Sequence, residues 1–185
     1  MTFFVNMHGV IVLLLLLILR PPFIHQAQHF AVADDKLIKT LCHDSETPET
    51  CLKCVQSCNN SAKADGVIGI ATMVVDCIKD TANNLALNIT NLACTSQGEL
   101  KSAYESCAKD YGDHIAKKEL RLSKKALKQH KYDKAESLVV NALSFHLKCR
   151  MSLEHCKAQV PVGVSYDMKI YEELTEAASR IIEKL

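Results

Sequence analysis

Four stretches of this 185-residue chain set their apolar residues three or four positions apart, the spacing that gathers them on one side of an α-helix. The first runs Val67, Ile70, Val74, Ile78, Ala82, Leu85, Ile89 and Leu92. The second holds Leu100, Tyr104, Cys107, Tyr111 and Ile115 and continues to about Lys128. Ala135, Leu138, Ala142, Phe145, Cys149, Leu153 and Cys156 form the third, and Ile170, Leu174, Ala177, Ile181 and Leu185 the fourth. Polar or helix-breaking segments separate them: Thr95-Ser96-Gln97-Gly98, Gln129-His130-Lys131, and a stretch holding Pro161 and Gly163. An amphipathic helix buries its stripe against another element, and short connections make consecutive helices antiparallel neighbours. Residues 65–185 are therefore expected to form an all-α, up-and-down four-helix bundle. Ser96 and Glu99 are a candidate capping box for the second helix. The absence of Trp and a count of only six Gly weigh against a β-sandwich or barrel.

A smaller unit precedes the bundle, over residues 34–64. Asp34 or Asp35 caps a short helix reaching Leu41, and Thr47-Pro48-Glu49 reads as an N-cap followed by Pro at the first helical position, opening a helix to about Cys58. So short a helical hairpin buries little area and needs a staple or a neighbour. Cys42, ending the first helix, and Cys51, one turn into the second, lie where a disulfide can close the turn between them.

The redox compartment follows from the N-terminus. Val10 to Leu19 is an unbroken apolar run, shorter than the ~20 residues of a membrane-spanning helix. It is followed by Arg20-Pro21-Pro22 and by Ala31-Val32-Ala33, a small-x-small cleavage pattern, so residues 1–33 read as a secretory signal peptide and 34–185 as one domain. Cleavage after Ala27 is the alternative. Removal of the leader takes away Arg20 and no acid, leaving 21 basic and 21 acidic side chains, a neutral balance that gives no sign of general nucleic-acid affinity. Secretion also makes disulfides the expected state of the nine cysteines, and Asn59 and Asn88 head N-glycosylation sequons.

Cys107 and Cys149 lie midway along the inward stripes of consecutive helices, so they are placed to face each other. Cys54, Cys58, Cys77, Cys94 and Cys156 remain, an odd number that leaves at least one thiol unpaired in a monomer. Cys54 and Cys58 share a helical face, and an extra disulfide from there to Cys77 would tie the hairpin to the bundle. Cys51-Leu52-Lys53-Cys54 has the spacing of a redox CxxC but lacks the strand such chemistry requires. No second paired-ligand motif supports a zinc site, so no metal or cofactor is expected. His43, His114, His130, His146 and His155 are scattered, read as surface or internally satisfied, and no catalytic set can be placed in a common cleft.

One charged feature stands out. Lys117, Lys118, Arg121, Lys124, Lys125, Lys128, Lys131 and Lys134 fall within 18 residues that contain only two acids, Glu119 and Asp133. On a helix Lys117, Arg121, Lys124 and Lys128 share a stripe suited to a polyanion. The competing expectation is a solvated face, partly neutralised across the bundle by Glu172, Glu173 and Glu176.

Several motifs in order complete the reading: Cys42 and Cys51 flanking Thr47-Pro48-Glu49-Thr50, then Cys107-Ala108-Lys109-Asp110-Tyr111, Tyr132-Asp133-Lys134-Ala135, and Asn141-Ala142-Leu143 six residues before Cys149. Behind a leader, this layout resembles the plant invertase and pectin methylesterase inhibitor family over residues 35–185. The resemblance implies a hairpin projecting from a four-helix bundle, disulfides Cys42–Cys51 and Cys107–Cys149, and no catalysis. It further implies inhibition by binding a cell-wall or vacuolar carbohydrate-active enzyme over its substrate cleft, in the apoplast or cell wall. Invertase inhibitors of the family carry a Pro-Lys-Phe wedge where this chain has Tyr132, Asp133 and Lys134, which favours pectin methylesterase over acid invertase as partner. A non-inhibitory pectate-binding cell-wall protein, in which the basic stripe holds de-esterified pectin, is the further alternative. Val140-Asn141-Ala142-Leu143 replaces the family's Ser-Ala-Ala-Leu, and Leu147-Lys148 replaces more polar or acidic residues. Asn141, Ser144 and Lys148, on the exposed side of the third bundle helix, are the expected contact residues.

Overall fold

The computed structural model describes residues 35–58 and 66–185. The signal peptide expected at 1–33, Asp34 and the Asn59 sequon lie outside the described residues. Every regular element among the described residues is helical: α1 over residues 35–43, α2 Pro48–Ser57, α3 Gly66–Thr95, α4 Gly98–Lys109, a π-helical segment Asp110–Glu119, α5 Leu120–Lys128, α6 Tyr132–His155 and α7 Val162–Ile182.

The four apolar stripes close a ring of contacts. α3 packs on α4, the π segment and α5, which pack on α6; α6 packs on α7, and α7 returns to α3. Ile70, Ile78, Leu85 and Ile89 of α3 are completely buried, each removal from water contributing about 2 kcal/mol. Ser123 of α5 is also sealed inside, and its hydroxyl donates to the Ala135 carbonyl at 2.9 Å, so the buried group keeps a partner.

Three local expectations are corrected. The Ser96–Glu99 capping box does not form: Ser96 Oγ donates back to the Leu92 carbonyl of α3 at 2.8 Å, and Gln97 occupies the N-cap of α4 without a side-chain bond. Gly98, at φ +58°, turns the chain there through the left-handed region, which glycine enters without a Cβ clash. Thr47 does stand at the N-cap of α2 with Pro48 behind it, but its hydroxyl makes no capping bond and is buried without a partner. In α6 Val139 and His146 are completely buried along with Ala135 and Ala142, whereas Leu138 and Phe145, read from spacing as inward, are only partly buried. Phe145 lies at the edge of the core, stacked on His114 of the π segment with ring centroids 5.0 Å apart.

The π segment is what the periodicity did not reveal. At its end the Leu120 N–H bonds the carbonyl of Ile115, five residues back instead of four. This wider winding delays the buried face by about one residue. An α-helix continued from Tyr111 and Ile115 would bury positions 118 and 122; Lys118 is exposed and Leu122 half-buried, while Glu119, Leu120, Ser123, Ala126 and Leu127 are buried.

Candidate functional site

The hairpin is closed on itself by one disulfide and tied to the bundle by another. Cys42 is bonded to Cys51, Cα atoms 5.4 Å apart, and Cys54 of α2 to Cys77 of α3. Polar contacts add to this anchorage: Thr50 Oγ1 donates to Glu173 Oε2 at 2.5 Å, the Glu46 N–H to Glu176 Oε2 at 3.2 Å, and Lys184 pairs with Asp44. The two cysteines of the CxxC thus have different partners and cannot form the redox pair that motif would need. A third disulfide, Cys107–Cys149, joins α4 to α6. Cys58, Cys94 and Cys156 are free thiols. Burial, with Asp76 and Asp80 nearby, pushes the Cys58 thiol above its ordinary range, so it is a poor nucleophile.

Beneath α6 a polar chain runs from the buried core to the surface. Tyr111 hydroxyl and His146 Nδ1 are 2.6 Å apart, His146 Nε2 and Glu172 Oε1 2.8 Å, and Arg150 Nη1 donates to the same Glu172 oxygen at 2.6 Å. The Glu172 carboxylate only accepts, so Nε2 carries the proton and Nδ1 accepts from the tyrosine. Burial is the main influence on both ionisable rings. It holds the His146 pKa below the usual 6.5 against the opposing pull of Glu172, and raises the Tyr111 phenol far above its usual range. A neutral histidine and a neutral phenol suit this arrangement. His146 is completely buried and flanked by Tyr171, stacked on it at 4.8 Å, so no substrate reaches the ring. The chain locks α6 against α7 and the π segment; it fits the internally satisfied role read from sequence.

The outer face of α6 is the opposite in character. Asn141, Ser144 and Lys148 are exposed, and beside them Val140, Leu147 and Met151 are 50, 36 and 66% exposed. Positions 140, 144, 147 and 151 follow helical spacing, so apolar and polar groups share one continuous face. At the start of the helix Tyr132 is half-buried, its hydroxyl 2.7 Å from His130 Nδ1, whereas Asp133 and Lys134 are exposed. Asn141, Ser144 and Lys148 were legible in the sequence as contacts and Val140 and Leu147 as departures from the family pattern, whereas Met151, also off the inward stripe, was not singled out.

The basic stripe is partly neutralised by acids other than those expected, Asp113 pairing with Lys117 and Asp76 with Lys124. Glu172 serves His146 and Arg150, Glu173 pairs with Lys169, and Glu176 with Arg180; none reaches Lys117, Arg121, Lys124 or Lys128. Neutralisation across the bundle by these three acids is therefore corrected. Asn88, at the second sequon, is half-buried midway along α3, and the Thr90 hydroxyl bonds the Ala86 carbonyl. Among the described residues no group of His, Cys, Asp and Glu is placed to hold a metal ion, and no helix is long and apolar enough to cross a membrane.

These features define an all-helical scaffold, a four-helix bundle carrying a disulfide-anchored helical hairpin, with His146 sealed inside and a mixed apolar and polar face outside. The sequence pattern of the plant invertase/pectin methylesterase inhibitor family matches residues 36–181, and the chain belongs to that family. A mutant form of a pectin methylesterase inhibitor from Arabidopsis is similar in structure, with a TM-score of 0.67 and 20% identity over 80% of this chain and 96% of that one. A pectin methylesterase inhibitor from Arabidopsis thaliana gives 0.60 and 19% over 80% and 95%. At such identities the likeness establishes the fold. No curated protein sequence matches the chain.

Proposed function

We propose that this protein is a secreted, non-catalytic inhibitor of a plant pectin methylesterase, which binds the enzyme over its pectin-binding cleft with the outer face of α6. Residues 1–33 direct the chain to the apoplast and are removed, and residues 34–185 act. The observation that carries the reading is that outer face, where Val140, Leu147 and Met151 stand exposed beside Asn141, Ser144 and Lys148. Such apolar anchors ringed by polar groups are the pattern of a specific interface, which typically buries about 1,600 Å². The Cys107–Cys149 disulfide and the Tyr111–His146–Glu172 chain hold α6 in place before contact, so less ordering entropy is lost on association. Covering the enzyme's carboxylates excludes the polymer without any bond being made or broken.

The experiment is titration of the oxidised protein into a plant pectin methylesterase and, separately, a plant acid invertase. Stoichiometric loss of esterase activity alone is expected. Loss of invertase activity alone would transfer the inhibitory role to the alternative enzyme and point to Tyr132, Asp133 and Lys134. Replacing Asn141, Ser144 and Lys148 together by Ala, or Leu147 and Met151 by Glu, should weaken inhibition; unchanged affinity in both variants would remove α6 from the interface. If Lys148 meets a target carboxylate, affinity falls on acidification as that acid is protonated.

A further inference from the structure

A second concave surface lies away from the outer face of α6, between α3 and the π segment with α5. It is a cavity of about 390 Å³ lined by Lys79 and Asn83 of α3, and by Ala116, Lys117, Leu120, Arg121 and Lys124. Ala116 and Leu120 behind it are buried core residues, so its apolar surface is that of the aliphatic stems of Lys79, Lys117, Arg121 and Lys124, and the lining bears these four cations and no carboxylate. Lys124 is held by Asp76 at 2.5 Å and Lys117 by Asp113 at 2.9 Å. Lys79 and Arg121 have no acidic partner among the described residues. Arg121 uses Nε on the Lys117 carbonyl at 3.0 Å, which leaves its two terminal nitrogens as donors for a carboxylate. Lys128, one turn beyond Lys124, extends the line of charge along α5, at the roughly 5–6 Å interval of neighbouring positions on one helix face.

We propose that this groove binds a linear carboxylated polysaccharide of the polyuronate class. The aliphatic stems of the lining side chains accept the C–H faces of successive sugar rings, while the charged ends of Lys79, Arg121 and the outlying Lys128 meet carboxylates along the chain. Asn83 supplies a neutral partner for ring hydroxyls. The combination matches such a polymer better than a nucleic acid, for which stacking aromatics are the usual complement and none lines this groove. The choice of a uronate polymer rests on the inhibitor reading above, in which the protein works beside pectin. The site and the enzyme-binding face are separate, so one chain can hold the de-esterified polymer while it blocks the enzyme that de-esterifies it.

Binding of a defined oligogalacturonate is measured by calorimetry at low and at high salt, with its fully methyl-esterified counterpart and a duplex DNA of similar charge as comparisons. Saturable, salt-sensitive binding of the free acid is expected, with the ester and the DNA at least tenfold weaker. K79Q/R121Q should weaken binding by about tenfold or more, since each loses a charge-assisted contact, while its thermal midpoint and its inhibition of esterase stay at wild-type levels. No binding, equal binding of DNA, or unchanged affinity in K79Q/R121Q would overturn the proposal. Binding without inhibition of either enzyme would overturn the inhibitor reading and leave the groove standing.

Discussion

The hairpin of α1 and α2 buries few large side chains, Ile38, Leu41 and Val55 among them, yet two of the three disulfides end in it. The bundle buries whole stripes from four helical stretches and is crossed internally by one disulfide, Cys107–Cys149. Where apolar area is plentiful, a cross-link adds to a structure that packing already specifies; where area is scarce, cross-links and a few polar contacts set the geometry. The two regions should therefore answer differently to the loss of a cysteine.

The largest expected effect is in stability. Converting Cys107 and Cys149 to Ser reopens a separation of 42 residues, costing about 4 kcal/mol on the chain-entropy account. The bundle should remain helical with a lowered denaturation midpoint, and circular dichroism during chemical denaturation checks it. Converting Cys54 and Cys77 to Ser costs slightly less, about 3 kcal/mol, but its consequence is local. Amide protection in α2 should fall while protection in α3 and α6 persists, as measured by hydrogen exchange. Equal loss in all three helices would show that hairpin and bundle are one cooperative unit and dissolve the contrast.

Next in size is the polar chain under α6. His146→Leu leaves the Tyr111 hydroxyl buried without its acceptor and should cost about 1–3 kcal/mol; adding Tyr111→Phe should recover part of it, a coupling that denaturation of the four variants would reveal. A pH signature accompanies it. Burial depresses the His146 pKa, so the unfolded chain binds more protons than the folded one as pH falls through the ordinary histidine range. The contribution is complete above about pH 6.5 and is lost progressively below it. Stability of the wild type should drop between pH 7 and 5 more steeply than that of His146→Leu, with Tyr111, Tyr171, Glu172 and Arg150 facing the ring in both. The smallest effect returns to the hairpin: Thr47→Val removes a buried hydroxyl that has no partner and should change stability by less than about 1 kcal/mol, toward greater stability. A clear loss would mean that the hydroxyl caps α2 in solution.

Much of the architecture was readable because an amphipathic stripe is a local property. The spacing from Val67 to Leu92 announced α3, which runs from Gly66 to Thr95, and that from Ala135 to Cys156 announced α6, which runs from Tyr132 to His155. The polar half of the outer α6 face was readable for the same reason. The Cys54–Cys77 partnership remained one of several open pairings, because sequence spacing does not say how a hairpin sits on a bundle. His146 looked like one scattered histidine among several until α7 supplied Glu172 beside it.

By itself, the sequence determined that the chain folds into amphipathic helices, where they break, and that its basic residues crowd onto α5 and the turn before it, since each depends on neighbours within one or two helical turns. Only the tertiary structure decided the one-residue delay of the π segment, which acids pair with which bases, and that Lys79 of α3 joins Lys117 and Arg121 around one groove. Those outcomes depend on the rotation and register of helices against each other, which packing of the whole core selects.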